Sequence, residues 1–351
     1  MSLLTSKTYL SSLESSLDQV INLGGLKNKS IFITGATGLI GSALVDLLLI
    51  ANQTRSLNIK IFAGARNLEK CRNRFLPFDD LTILEYDLLK NFTSDLYFDY
   101  IVHCASNADP TNFSKYPVET NFGNIFGSYQ LLNHLKKQQS GKFLFISSSE
   151  VYGNKDNQEL YSETDIFPID FSNLRACYPI SKRCSENLCA DFNSEYDVDY
   201  VIARPGHIYG PTMNSSDSRA SSSFIRDASN GQSIVMKSKG EQLRSYCYVL
   251  DCATALLSIL LAGQFCTAYN ISNSKSLATI KEFAETCAAI SGQHVTFELP
   301  SGSEKASYNL MSCSALNSTR LESLGWHGTR DLATGIQETL QILSELPIQN
   351  H

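Results

Sequence analysis

Ten cysteines are scattered through the chain, yet they form no Cys-x-x-Cys pair and no Cys/His cluster with zinc-like spacing. That absence argues against a structural zinc site and leaves the cysteines as reduced thiols that pack like small apolar residues. No metal is expected. Positive charge is also scarce: 29 Lys and Arg against 35 Asp and Glu give a net charge of -6. A nucleic-acid partner would normally show a basic patch, so none is expected. An anionic small molecule must then be held by a few placed arginines. Long apolar runs are missing too. The longest, around Leu44 to Ala51, is interrupted by Asp46 and is shorter than the roughly 20 residues that span a bilayer. No membrane partner is expected. With no secretory signal in the sequence, a cytoplasmic location is expected.

What is present begins with size. A chain of 351 residues can bury a large core and suits two domains, or one domain with a sizeable lobe. Within residues 1–26, Leu10, Leu13, Leu17, Val20 and Ile21 recur at helical spacing, which reads as an amphipathic helix lying on the outside of the main fold. From Ser30 onward short apolar strands alternate with helices. Strands are expected at Ile31 to Thr34, Ile59 to Ala63, Leu81 to Glu85, Tyr100 to His103, Lys142 to Ser147 and Tyr200 to Ala203, with helices such as Thr120 to Lys137 and Tyr178 to Tyr196. This alternation implies right-handed crossovers and an α/β, doubly wound parallel sheet with its ligand at the carboxyl ends of the strands.

After Pro205 the alternation breaks down. Met213 to Ser223, rich in Ser, Asp and Asn, reads as a loop, followed by a short helix at Phe224 to Asn230 and a strand at Ile234 to Met236. The chain then returns to the sheet with a helix at Val249 to Leu261 and a strand at Ala268 to Ile271, and ends with a mixed segment and a helix from about Leu332 to Ser344. The expected division is a helical extension over 1–26, a cofactor-binding domain from 27–204 plus 246–275, and a smaller mixed lobe from 205–245 plus 276–351.

Chemistry concentrates at Cys177-Tyr178-Pro179-Ile180-Ser181-Lys182. At the start of a helix, where proline is tolerated, positions i and i+4 share a face. The Lys182 ammonium is thereby expected to favour the Tyr178 phenolate and to draw a group of pKa about 10 towards working pH, making a proton shuttle for an alcohol or carbonyl. Upstream, Gly35-Ala36-Thr37-Gly38-Leu39-Ile40-Gly41 places a glycine turn between strand and helix, where a backbone can approach a pyrophosphate. At the end of the second strand Ile61-Phe62-Ala63-Gly64-Ala65-Arg66-Asn67 carries an arginine and no acid, a choice that favours the 2′-phosphate of NADP(H) over NAD(H).

These stretches, taken with Ser147-Ser148-Ser149-Glu150-Val151-Tyr152-Gly153 and Arg204-Pro205-Gly206-His207-Ile208-Tyr209-Gly210-Pro211, resemble the extended short-chain dehydrogenase/reductase family. Within it they are most similar to enzymes that modify nucleotide-linked sugars, the UDP-glucuronate decarboxylases above all. The resemblance runs from about Lys29 over nearly the whole chain. It implies a Rossmann domain with a substrate-binding lobe. It makes Ser148 the hydrogen-bond donor to the reacting oxygen, Tyr178 the acid/base, and Lys182 its electrostatic partner and a ligand of the nicotinamide ribose. Gly35, Thr37, Gly38, Leu39, Ile40 and Gly41 would hold the pyrophosphate and Asp87 with Leu88 the adenine side. Cys104, Ala105 and Ser106 would line the cofactor, Asn121 would support the lysine through water, and Pro205 would close the cofactor side.

On the substrate side the resemblance implies Ser149, His207, Arg219 and Arg244, with Arg244 gripping the diphosphate, for which a planar guanidinium is suited. Glu150 is similar to the carboxylate that manages a proton at a neighbouring carbon in decarboxylases and 4,6-dehydratases; buried, it could carry a raised pKa. Three departures stand out. Cys104 replaces a leucine, His207 replaces an asparagine that contacts the diphosphate, and Lys305-Ala306-Ser307-Tyr308-Asn309-Leu310 lacks the arginine that would meet a hexuronate carboxylate. The expected activity is modification of a nucleotide-diphosphate-linked sugar or polyol through a transient ketone, by a homodimer. A net NADPH-dependent reductase of a keto sugar is the enzymatic alternative, and a cofactor-binding regulatory protein the non-enzymatic one.

Overall fold

The computed structural model describes residues 3–75, 78–155, 157–298 and 311–347. Its centre is a seven-stranded sheet built from β1 (Ser30–Thr34), β2 (Lys60–Ala65), β3 (Leu81–Glu85), β4 (Tyr100–His103), β5 (Lys142–Ile146), β6 (Asp199–Pro205) and, much later in the chain, β10 (Thr267–Ile271). The spatial order is β10-β6-β5-β4-β1-β2-β3 and every pairing is parallel. β1 and β5 are buried along their full length, whereas the edge strand β3 is partly exposed. Continuous burial is what a parallel strand covered by helices on both faces requires, and it explains the apolar runs in the sequence. The order reverses between β1 and β4, so a crevice opens at their carboxyl ends.

Helices α2 (Leu39–Arg55), α3 (Leu68–Phe75), α5 (Pro117–Gln138), α6 (Cys177–Tyr196) and α8 (Val249–Ala262) flank this sheet, and α4 (Pro110–Lys115) packs against α5 and the turn before α6. The expected amphipathic element over 1–26 is shorter than its pattern suggested. α1 spans Lys7–Ser16 and gives way to two single turns at Leu17–Gln19 and Leu23–Leu26. Val20 is extended and Asn22 is left-handed (φ 60), so the helix cannot continue through the apolar residues that follow. α1 is tied down by the Tyr9 hydroxyl, which donates to Asp46 Oδ2 (2.9 Å) in the middle of α2; Asp46 also pairs with Arg74 of α3. The polar residue that interrupts the longest apolar run is thus a fully buried anchor, tolerable in the interior because it is paired.

The lobe above the carboxyl ends of the strands consists of small pieces. β7 (His207–Tyr209) and a two-residue strand at Cys313–Ser314 both pair in parallel with β9 (Leu243–Tyr248), and β11 (Leu277–Thr279) pairs with it antiparallel. β8 (Ile234–Met236) pairs with β12 (Val295–Phe297). α7 (Ala220–Ser229), α9 (Ile280–Ser291) and a last helix at Leu332–Ser344 pack together over these strands. α7 begins four residues earlier than its expected start. Asp217 holds both the Arg219 side chain and the Ser222 hydroxyl, fixing the first turn despite its run of serines.

Candidate active site

The crevice begins at the β1–α2 turn. Gly35 is left-handed (φ +67), and a Cβ there would meet the Ala105 backbone at 2.8 Å; a Cβ on Gly41 would stand 2.3 Å from the Gly35 carbonyl. The turn can be this tight only with glycine at both places. Gly38, extended, leads into the seventeen-residue α2, whose first amides have no intrahelical acceptors and face the crevice as an anion cradle. Thr37, Leu39 and Ile40 lie on this turn and first helical residues. The facing loop is locked to it: Thr34 Oγ1 accepts from Ala105 N (3.2 Å) and contacts His103 Nδ1 (2.7 Å). Burial pushes His103 well below the usual imidazole range. Arg66 is exposed just beyond β2, and Asp87 follows β3 with Oδ1 accepting from Leu89 N (3.0 Å). Leu88 packs against α5 at Gly127. Cys104, with its thiol pushed up to about 12 by burial, Ala105 and Ser106 continue the crevice from β4, and Pro205 ends β6. These residues fit a dinucleotide: a strand-to-helix cradle for two phosphates, with an exposed cation just beyond β2.

The asparagine that the structure sets between this loop and the lysine-bearing helix is Asn124, not Asn121. Asn124 Oδ1 accepts from Ser106 Oγ (2.8 Å) and its Nδ2 donates to Ser181 Oγ (2.9 Å), with 2% exposure; Asn121 is half-buried. Three residues along α5 turn a side chain by roughly 60° net. The face against α6 carries Asn124, whose carbonyl also accepts from Ser185 Oγ (3.1 Å), while Gly123 and Gly127 face Leu88.

The reactive hydroxyls meet where β5 ends. Ser148 caps a single turn at Ser149–Tyr152, accepting from Glu150 N (3.2 Å), and it lies close enough to Tyr178 to favour its phenolate form. The Tyr178 ring stacks on Phe113 of α4 (5.1 Å, 10° between planes). Burial pushes the Tyr178 phenol up to about 12, helped by the Glu150 charge and opposed by the nearby Ser148 side chain and the charges of Arg219 and Arg175. The expected lowering by Lys182 is therefore not what the protein fold provides. Lys182 Nζ donates to the Ile146 carbonyl (2.8 Å), lies 5.9 Å from the Tyr178 ring centre, and is itself pushed down to about 7 by burial. A buried ammonium close to losing its charge is a weak stabiliser of phenolate, and Tyr178 is held as a neutral acid.

Glu150 is not an isolated carboxyl. Arg175 Nη2 donates to its Oε1 (3.0 Å) and approaches its Oε2 (3.4 Å). Arg175 is 8% exposed and its guanidinium lies over the Phe113 ring (4.9 Å). Sequence reasoning missed this arginine. Its signal was its place three residues before Tyr178, inside a single turn at Leu174–Ala176 capped by Asn173.

The residues expected on the substrate side come together. Arg219 Nε donates to Asp217 Oδ1 (3.0 Å) and lies near enough to Tyr178 for their charges to interact. Arg244, 2% exposed, donates to the Leu243 and Met311 carbonyls (3.0 Å each) and feels the charges of Glu150 and Arg175. His207 is pushed well below the usual range by burial and then by Arg244 and Arg219, and its Nδ1 is buried with no hydrogen-bond partner. Ser149 is buried beside Ser148. Lys305 to Leu310 lies outside the described residues. Among the described residues no group of three His, Cys, Asp or Glu is placed to hold a metal ion, and no helix is long and apolar enough to cross a membrane.

A glycine cradle at the switch point, facing a serine, a buried tyrosine and a lysine on the next helix, defines the class: a nicotinamide-dinucleotide-dependent enzyme of the extended short-chain dehydrogenase/reductase type. The model of the NAD dependent epimerase/dehydratase family matches residues 31–272, and the chain belongs to that family. UDP-glucuronic acid decarboxylase 5 of Arabidopsis thaliana is 32% identical over 265 residues, covering 74% of each chain. UDP-glucuronic acid decarboxylase 1 of Danio rerio is 28% identical over 325 residues, covering 90% of this chain and 73% of its own. In fold the chain is similar to a UDP-N-acetylglucosamine 4-epimerase from Methanobrevibacter ruminantium in complex with UDP-N-acetylmuramic acid, with a TM-score of 0.76 and 23% identity over 91% of this chain and all of that one. A UDP-glucuronic acid 4-epimerase from Bacillus cereus, solved with UDP-glucuronic acid and NAD, superimposes with a TM-score of 0.73 and 22% identity over 90% and 99%. The protein is an enzyme of the nucleotide-sugar epimerase/dehydratase type.

Proposed function

We propose that the enzyme runs a redox-neutral cycle on a nucleotide-diphosphate-linked sugar: a carbinol is oxidised to a ketone, a proton is moved at a neighbouring carbon, and the hydride is returned. The bound dinucleotide supplies the hydride acceptor and donor. The observation that supports this reading is that Ser148 and Glu150, neighbours on one turn, both act on the Tyr178 phenol, the first lowering and the second raising its pKa. One hydroxyl pair serves the reacting oxygen, and a carboxylate one turn away serves a second proton. Ser148 orients the reacting oxygen and Tyr178 takes and gives its proton. Lys182 holds the ribose edge of the cofactor. Arg219, Arg244, Ser149 and the unpartnered His207 Nδ1 receive the sugar diphosphate. The names of the relatives make UDP-glucuronic acid the first substrate to try, with decarboxylation among the outcomes; UDP-glucose and dTDP-glucose complete the panel.

The experiment incubates enzyme, cofactor and each panel member, follows products by mass spectrometry, and follows reduced nicotinamide by absorbance. Product in large excess over enzyme with flat absorbance is expected. Consumption of one added NADPH per product would replace this reading with a net reduction. Two observations favour that second reading: Arg66 just beyond β2, and a Tyr178 held as an acid ready to protonate an alkoxide. Arg66 also supports NADP(H) as the preferred cofactor over NAD(H).

The division into a helical extension, a cofactor domain and a lobe of two sequence pieces is kept as our reading, as is a cytoplasmic homodimer. Val118, Phe122 and Tyr129 leave apolar area exposed along α5, where a second copy would cover it. Sedimentation at micromolar concentration checks the assembly.

A further inference from the structure

We propose that Arg175 is a positioning residue that sets the Glu150 carboxylate and the Tyr178 ring against each other, so that the second proton transfer depends on it. The inference rests on the role given to Glu150 above. Three contacts carry it. Arg175 Nη2 binds Glu150 Oε1 at 3.0 Å and faces Oε2 at 3.4 Å. The same guanidinium lies over the Phe113 ring at 4.9 Å. The same ring stacks on Tyr178 with centroids 5.1 Å apart and planes 10° apart. One cation therefore fixes both groups, directly in one case and through an aromatic ring in the other.

The chain around these residues is arranged to hold them. Arg175 sits in a turn capped by Asn173 and running directly into α6, so it is rigidly related to Tyr178 along the backbone. Phe113 is held through two contacts of its own helix. Its carbonyl accepts from Cys177 Sγ (3.6 Å), and Asp109, which caps α4, also accepts from Ser218 N (2.9 Å) of the loop that carries Arg219. Arg175 and Glu150 also act oppositely on the Tyr178 phenol, the cation lowering and the carboxylate raising its pKa. Removing only one member of the pair unbalances the acid. A lysine would keep the charge but not the planar fork that binds a carboxylate and covers a ring.

The test uses Arg175→Gln, Arg175→Lys, Glu150→Gln and the double variant Glu150→Gln/Arg175→Gln, with whichever of UDP-glucuronic acid, UDP-glucose and dTDP-glucose the wild type turns over fastest. Two steps are read separately: the rise of reduced nicotinamide in a single turnover, and deuterium incorporation from D2O at the carbon next to the ketone. Arg175→Gln should slow deuterium incorporation by roughly 10- to 100-fold and hydride transfer far less, with the lysine variant in between. The double variant should be no slower than Glu150→Gln, because the two act as one unit. Equal slowing of both steps, or multiplied defects in the double variant, would overturn the inference. If Glu150→Gln itself leaves deuterium incorporation unchanged, the role given to Glu150 falls instead. A crystal structure of Arg175→Gln needs no substrate: Glu150 should swing away and the Phe113–Tyr178 stack loosen, and an unmoved carboxylate and stack would also overturn the inference.

Discussion

On the sheet side of the cleft the groups available to a ligand are mostly backbone: the amides opening α2, the Gly35 turn and the Ala105 backbone it presses against. On the side expected to face the substrate they are charged side chains: Arg175, Arg219 and Arg244, set among Glu150, Asp217 and the unpartnered His207. A backbone cradle cannot be altered by one side chain without moving the chain, so it suits a ligand that never changes. Side-chain charges can be exchanged singly, and each exchange redistributes the balance felt by Tyr178, so this half can be retuned to another sugar. Tyr178 and Lys182 stand at the seam between the two.

The comparison breaks most visibly at that seam. Tyr178→Phe keeps the ring and its stack but deletes the proton, so turnover should fall by roughly 100-fold or more while cofactor affinity, measured by fluorescence titration, hardly moves. Wild-type turnover would make Tyr178 a packing residue. Next in size, Gly35→Ala forces a Cβ into the Ala105 backbone at a positive φ. It should weaken cofactor binding by about 2 to 3 kcal/mol, roughly 30- to 150-fold, and leave nucleotide-sugar affinity nearly intact. A parallel loss of both affinities would show that the two halves are not independent.

Arg66 is the exposed side chain proposed to choose between the two cofactors. Wild type should bind NADP(H) more tightly than NAD(H), and Arg66→Ala should erase the difference by removing a charge-assisted contact of about 1.5 to 3 kcal/mol. A titration in which wild type prefers NAD(H) would end that assignment. The smallest effect concerns stability. Lys182 titrates at about 7 in the folded protein, lowered from its ordinary 10.5. The unfolded chain therefore binds the extra proton between those values, and stability rises with pH across that window. The cost of the buried charge is fully present below pH about 7 and gone above about 10.5. Lys182→Met should raise the melting temperature relative to wild type near pH 6.5, with the gap closing towards pH 10. A constant gap would mean that burial does not control this lysine.

Much of the sheet was legible because parallel strands buried on both faces must be apolar throughout. Leu81 to Glu85 and Tyr100 to His103 stand at their expected bounds, and the others shift by one or two residues. The lobe was legible only in outline, since strands of two or three residues such as β7 and β11 form through pairing with β9 rather than through any periodicity of their own. The single helix expected over 1–26 failed because left-handed Asn22 and extended Val20 override the apolar spacing. In the site, residue types at fixed local offsets could be read. Arg175 could not, because its partners Glu150 and Phe113 lie 25 and 62 positions away along the chain.

The sequence by itself determined the glycine turn, the Tyr178 and Lys182 pair on one helical face, and the alternation that makes a doubly wound sheet, because each follows from local stereochemistry or from burial on a regular period. Only the tertiary structure decided the charges. The same Lys182 and Tyr178 that the spacing would make into an ammonium and a near-phenolate become, when buried, a lysine near pKa 7 and a phenol near 12. Desolvation disfavours either charge by an amount that depends on every neighbour the fold brings in, and no spacing along the chain encodes that sum.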